Sequence, residues 1–175
     1  LEYTLSTGFD VSTADFADGF SVMSQDATPI GLAFNNDGTK MFVMGYDGKD
    51  VNEYTLTTGF DVSTASFVDS FYVGDKETFP TGLAFNTDGT KMFVLGASGD
   101  DVNEYTLSTG FDLSSTVTFN EINGPGTVTG FRVRSQETSP MGLAFNTDGT
   151  KMFVTGASGD DVNEYTLSTG FDVST

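Results

Sequence analysis

The nine residues Asn-Thr-Asp-Gly-Thr-Lys-Met-Phe-Val occur at 86–94 and again at 146–154, and with one substitution at 35–43. No other feature of the 175-residue chain limits its fold so strongly. Gly-Leu-Ala-Phe recurs from Gly31, Gly82 and Gly142, spaced 51 and 60 residues apart. Glu-Tyr-Thr-Leu recurs from Glu2, Glu53, Glu104 and Glu164, spaced 51, 51 and 60. The longer interval carries nine extra residues, between Leu113 and Phe131. Near-identity at a fixed period means one supersecondary unit used repeatedly, each copy burying its faces against its neighbours. The chain therefore divides into units of about 1–51, 52–102 and 103–162, with a partial unit at 163–175, in one array.

Each unit reads as four short strands. Gly-Leu-Ala-Phe is the first. The Asn-Thr-Asp-Gly turn follows, where Asp88 can accept from nearby backbone amides and Gly89 can take positive φ. Lys-Met-Phe-Val-Leu-Gly is the second strand. Its alternation sends Met92 and Val94 to one face and Phe93 and Leu95 to the other. Both faces are apolar, so this strand is expected to lie between two sheets. Asp-Val-Asn-Glu-Tyr-Thr-Leu is the third strand, and segments such as Phe-Val-Asp-Ser-Phe-Tyr-Val form the fourth. No helical period is present. The expected fold is all-β, a β-propeller of four-stranded antiparallel blades of about 51 residues, three per chain plus one redundant third strand. A β-solenoid is the alternative, with shorter coils and less regular hairpin turns.

The stretch Gly-Leu-Ala-Phe-Asn-Thr-Asp-Gly-Thr-Lys-Met-Phe-Val resembles the first hairpin of YVTN-type surface-layer and NHL-like propellers. The longer tail Asp-Val-Asn-Glu-Tyr-Thr-Leu-Ser-Thr-Gly-Phe-Asp-Val-Ser-Thr resembles repeats of marine environmental sequences. The resemblance implies a six- or seven-bladed propeller and little about activity, because propellers host many functions. The usual Ser-Pro of that turn is Asn-Thr or Asn-Asn here.

Composition excludes several classes of function. The formal charge is −18, from 25 acidic against 7 basic residues. Such a surface repels phosphate backbones and anionic lipid, so no nucleic acid and no membrane insertion is expected. Cys and His are absent. That removes disulfides, thiolate metal sites and every triad that needs imidazole. No apolar run approaches the roughly 18 residues of a spanning helix. The chain opens and closes inside a repeat, which suggests a segment of a longer exported or surface protein.

Strand order puts the second-to-third loops and the fourth-to-first loops on one end of the array. That end collects Asp47, Asp50, Asp100, Asp101, Asp160 and Asp161, with Asp26, Glu77 and Glu137. Carboxylates there can bind Ca²⁺ weakly, an ion that takes roughly six to eight hard oxygens. The plainer reading is a solvated acidic rim, and no cofactor is otherwise expected. Arg132 and Arg134 stand at i and i+2 beside the insertion, either as a partner contact or as charges guarding an edge strand. Tyr3, Tyr54, Tyr105 and Tyr165 recur on the third strand, either packed between sheets or offered to sugars.

Three equal acidic copies argue against catalysis, which needs one asymmetric site. The expectation is accordingly a non-enzymatic propeller for binding, display or scaffolding. A multivalent glycan-binding propeller and a metal-dependent hydrolase-like propeller stand behind it. A protein or glycan partner is allowed. A homodimer completing a six-bladed ring is expected, because an open arc would leave apolar faces bare.

Overall fold

A computed structural model describes residues 1–122 and 130–175. The chain is all-β. Among the described residues the only helical elements are two single 3₁₀ turns, Val11–Thr13 and Val62–Thr64. No helix is long and apolar enough to cross a membrane.

Four antiparallel sheets follow one another along the chain. The first pairs β1 (Glu2–Leu5) with β2 (Ala14–Asp18). The second runs in order β3 (Pro29–Phe34), β4 (Lys40–Gly45), β5 (Asp50–Leu56) and β6 (Ala65–Tyr72). The third runs β7 (Pro80–Phe85), β8 (Lys91–Gly96), β9 (Asp101–Leu107) and then β10 (Val117–Phe119), with β11 (Phe131–Arg132) on the same edge of β9. The fourth has three strands, β12 (Pro140–Phe145), β13 (Lys151–Gly156) and β14 (Val162–Thr166).

This layout refines the sequence reading in two places. The first of the four Glu-Tyr-Thr-Leu strands, β1, pairs with β2, while the last, β14, has no fourth strand beside it among the described residues. The insertion splits the outer strand of the third sheet: β10 covers the Tyr105–Leu107 end of β9, and β11 covers the Asp101–Val102 end. Of the insertion, residues 123–126 lie outside the described residues. Asn120 is described, and it donates to Glu104 Oε1 at 2.6 Å.

Core formation follows from the two-faced second strands. Met92 and Val94 join Phe42, Met44 and Val51 in one buried cluster, while Phe93 and Leu95 join Val102, Met152 and Val154 in the next. The β8 strand is thus sandwiched between neighbouring sheets, as its alternation predicts. Each fully buried Phe, Met or Leu contributes on the order of 1.5–3 kcal/mol, so these strands carry the packing energy.

The hairpin turns behave as their sequence dictates. Asp88 Oδ1 accepts from the Thr90 amide at 3.0 Å and from the Thr90 hydroxyl, and Gly89 has φ of 71°. The same geometry recurs at Asp37–Gly38 and Asp148–Gly149. A Cβ on Gly89 would run into the ring of Phe111, which itself has positive φ and lies on the turn. Gly89 is therefore fixed both by backbone conformation and by close approach. Gly89→Ala should lose about 1–3 kcal/mol of unfolding free energy, read from the shift in urea midpoint; an unchanged midpoint would refute the close contact.

The Thr hydroxyl first, and the Thr amide second, hold the Asp37, Asp88 and Asp148 carboxyls below their ordinary value of 3.8. Stabilisation from such groups is complete above pH 3.8 and disappears as pH falls through the lower folded value. The triple variant D37N/D88N/D148N should therefore melt below the parent at neutral pH, with the gap narrowing below pH about 4. Differential scanning across pH 2–7 checks it, and a gap independent of pH would contradict it.

Candidate functional site

The fourth-to-first and second-to-third loops do share one end of the array, but five of the acids placed there, Asp26, Glu77, Asp100, Asp101 and Glu137, are buried rather than on a rim. Asp26, Glu77 and Glu137 are at most 3% exposed. Each braces the neighbouring loop by accepting backbone amides. Asp26 takes Thr28 and Gly48, Glu77 takes Phe79, Ser98 and Gly99, and Glu137 takes Ser139, Ser158 and Gly159. Burial would raise the Glu137 carboxyl. The amides of Ser139, Gly159 and Ser158 outweigh that and hold it below its ordinary value. These carboxylates are structural, because a buried charge is tolerated only when its hydrogen bonds are made.

The remaining acids are dispersed. Asp47 is exposed and accepts from the Thr28 hydroxyl. Asp160 and Asp161 are exposed, and Asp161 accepts from Asn163. Asp50 is half-buried and accepts from Asn52, and burial pushes its carboxyl up. Asp100 and Asp101 are buried. Among the described residues no three acidic groups converge in a way that could hold a metal ion. Among the described residues Asp47, Asp50, Asp100, Asp101, Asp160 and Asp161 do not form one cluster that could hold a metal ion; Asp50, Asp101 and Asp161 each accept from the Asn two residues along, Asp47 from Thr28, and Asp100 faces Arg134.

The tyrosines also divide. Tyr54 and Tyr105 are buried between sheets and Tyr165 is partly buried, so these rings pack against neighbours such as Phe67, Phe119 and Phe131. Tyr3, on the first sheet, is exposed.

The third sheet breaks the repeat at this end. In the second sheet the Tyr54 hydroxyl lies 3.3 Å from Gln25 Oε1, and in the fourth the Tyr165 hydroxyl lies 3.4 Å from Gln136 Oε1. The residue at the matching place in the third sheet is Lys76. Its ammonium sits 4.5 Å over the Phe119 ring instead. The Tyr105 hydroxyl is left buried without a partner. Burial, then the charges of Asp101, Glu77 and Asp75, raise its pKa well above the ordinary value. A second buried polar atom without a partner, Asp100 Oδ1, belongs to the same sheet's loop. Its other oxygen lies 3.5 Å from Arg134 Nε, and Asp100 itself has φ of 50°. Next to it, Asp101 accepts from Asn103 at 2.8 Å and from the Gly130 amide at 3.2 Å. Burial first, and the Glu77 charge second, push the Asp101 carboxyl up, while Arg132, opposite on β11, opposes the rise. Orphaned buried polar groups beside a carboxyl whose pKa is pushed up by burial mark a candidate site. Sequence alone signalled it only by Lys76 standing where Gln25 and Gln136 stand.

No family model and no curated protein matches the sequence. Solved structures do match its fold. A protein named as a 6-phosphogluconolactonase from Bacteroides uniformis superposes with TM-score 0.53 at 12% identity, over 94% of this chain and 41% of that one. The periplasmic gluconolactonase of Pseudomonas aeruginosa superposes with TM-score 0.51 at 16% identity, over 79% of this chain and 35% of that one. A luciferin-regenerating enzyme superposes with TM-score 0.51 at 20% identity, over 85% of this chain and 42% of that one. The fold is therefore propeller-like, and the chain spans about two-fifths of the length of such structures.

These comparisons correct the expectation of a non-enzymatic module for binding, display or scaffolding, and with it the expectation that the chain is no enzyme. Several of the structures that share its fold carry the names of lactonases and a luciferin-regenerating enzyme. Three equal acidic copies do not exclude one asymmetric site either, because Lys76 and the unpartnered oxygens of Tyr105 and Asp100 make one sheet unlike its sisters.

An orphaned buried hydroxyl costs about 1–3 kcal/mol. Tyr105→Phe should accordingly leave the protein as stable as the parent or raise its stability by about 1 kcal/mol, whereas Tyr54→Phe should lower it. Parallel urea titrations compare them; a clear loss in Tyr105→Phe would mean that its hydroxyl is satisfied.

Proposed function

We propose that this chain is part of a propeller hydrolase that opens lactone rings, with its acid–base group at the loop end of the third sheet. The observation that carries the reading is the Asp101 carboxyl, raised by burial and by Glu77, next to the unpartnered oxygen of Asp100. The fold shared with lactonases supports it. In the proposed step the Asp101 carboxylate takes a proton from water as the water oxygen bonds to the lactone carbonyl carbon. The ring carbon–oxygen bond then breaks, and the ring oxygen leaves with that proton, giving a hydroxy acid. A raised pKa makes the carboxylate a stronger base. The charge of −18 favours an uncharged lactone over a phosphorylated one, which the protein's field would repel.

The test is hydrolysis of a panel of uncharged sugar lactones, with and without added calcium. Activity should rise with pH through the acid limb. Asp101→Asn should lower kcat by about a hundredfold or more. Removing the exposed cation in Arg132→Gln should move the acid limb to higher pH, because Arg132 holds the Asp101 carboxyl down. Absence of hydrolysis in every condition, or full activity in Asp101→Asn, would overturn the reading.

A further inference from the structure

The sheets are joined by a contact that, among the described residues, occurs complete twice and then appears once as two separated halves. In the first complete copy, Lys40 Nζ lies 2.7 Å from Glu53 Oε1 and donates to the Phe111 carbonyl at 2.6 Å. Glu53 Oε2 accepts the Leu113 amide at 2.7 Å, and the Phe42 ring stacks 4.5 Å from Phe85 and 6.1 Å from Phe111. In the second, Lys91 pairs with Glu104 at 2.8 Å and donates to the Phe171 carbonyl at 2.7 Å. Glu104 accepts the Val173 amide at 3.0 Å, and Phe93 stacks on Phe145 and Phe171. In both, one sheet's Lys–Glu pair and Phe grip the Phe-x-Val/Leu turn and the first-strand Phe of the next.

The giving half stands open on the fourth sheet. Lys151 and Glu164 pair at 2.6 Å with side chains 45% and 47% exposed, and Lys151 donates to no carbonyl among the described residues. Phe153, the counterpart of Phe42 and Phe93, has no ring partner there. Val162 is 66% exposed, while its counterparts Val51 and Val102 are fully buried. The receiving half stands open on the second sheet. Phe34 and Phe60 pair at 5.4 Å without a third ring between them and the next sheet. Leu32 is 60% exposed against 9% for its counterpart Leu83, and the groove there has a volume of about 460 Å³. The Val62 amide is held by Glu2 at 2.9 Å, and among the described residues no lysine donates to the Phe60 carbonyl.

We infer that two copies of this chain close one ring, the fourth sheet of each docking on the second sheet of the other. Lys151 donates to the Phe60 carbonyl of the other copy, Glu164 accepts its Val62 amide, and Phe153 enters between Phe34 and Phe60. Glu164 thereby takes the role of Glu2. That exchange is permitted because residues 164–175 repeat residues 2–13 letter for letter. The other copy's β2 then becomes the fourth strand beside β14, completing the three-stranded sheet. Such a heterologous contact closes when the rotation between copies is a half turn. It is independent of the hydrolytic reading, since none of these residues lies at the acidic end.

Light scattering and sedimentation at micromolar concentration and physiological ionic strength test it. The parent should show twice the 18.6 kDa chain mass. Raising salt should tighten the dimer, because each copy carries a charge of −18. The swap K151E/E164K keeps the exposed intrachain pair and the net charge but turns each charge against the backbone group it would meet. It should weaken association by more than about thirtyfold, the factor set by losing about 2 kcal/mol of charged contact. Glu2→Gln should leave the dimer intact or tighten it. A monomeric parent, a swap variant that dimerises like the parent, loss of the dimer in Glu2→Gln, or open polymers in place of the closed pair would each overturn the inference.

Discussion

The buried Lys–Glu pair that reaches from one sheet to the turn of the next holds the array in order. Glu53 is 1% exposed, and it is tolerable there because Lys40 and the Leu113 amide satisfy its oxygens. Removing one member of such a pair leaves an uncompensated charge, a loss on the order of 3–5 kcal/mol. The pair adds little net stability over an apolar substitute, and its value lies in register. Phe42 and Phe93 can stack on the neighbouring sheet only if the Phe111 and Phe171 turns are seated, and the carboxylate seats them. Apolar burial on both faces of β4 and β8 then supplies the energy.

At the other end of the sheets, acids serve two purposes that composition cannot separate. Asp26, Glu77 and Glu137 are internal braces, each collecting amides from the loop beside it. Asp101 is different, because Glu77 lies close enough to disfavour its charge and only Asn103 and Gly130 oppose that by hydrogen bonding. The same residue type at one end of one fold thus provides scaffold in one place and a carboxyl with a raised pKa in another. Symmetric copies build the end, and the departures of Lys76, Tyr105 and the Arg-bearing edge make one sheet chemically distinct.

Much of this was legible in the residues. The Asn-Thr-Asp-Gly turns, the positive φ of Gly89 and the division of Met92 and Val94 from Phe93 and Leu95 follow from local chemistry and a period of two. The split outer strand of the third sheet was not legible, since an insertion does not say which half of β9 each flank will pair with. The burial of Asp26, Glu77 and Glu137 was not legible either, because a loop acid reads as solvated until the neighbouring loop is seen to fold over it. The candidate site was nearly silent, signalled only by Lys76 in the place of Gln25 and Gln136.

Glu53, Glu104 and Glu164 mark the boundary between the two sources of information. All three sit in the same tetrapeptide, so the sequence assigns them the same strand, the same direction and a lysine partner on the neighbouring strand. Yet Glu53 and Glu104 are buried, while the Glu164 side chain is 47% exposed. Local sequence determined the strands, the turns and the pairing of the first three strands within each repeat, since these depend on backbone hydrogen bonds and side-chain period. Only tertiary structure decided which of three identical carboxylates lies inside, because burial depends on whether another sheet covers it.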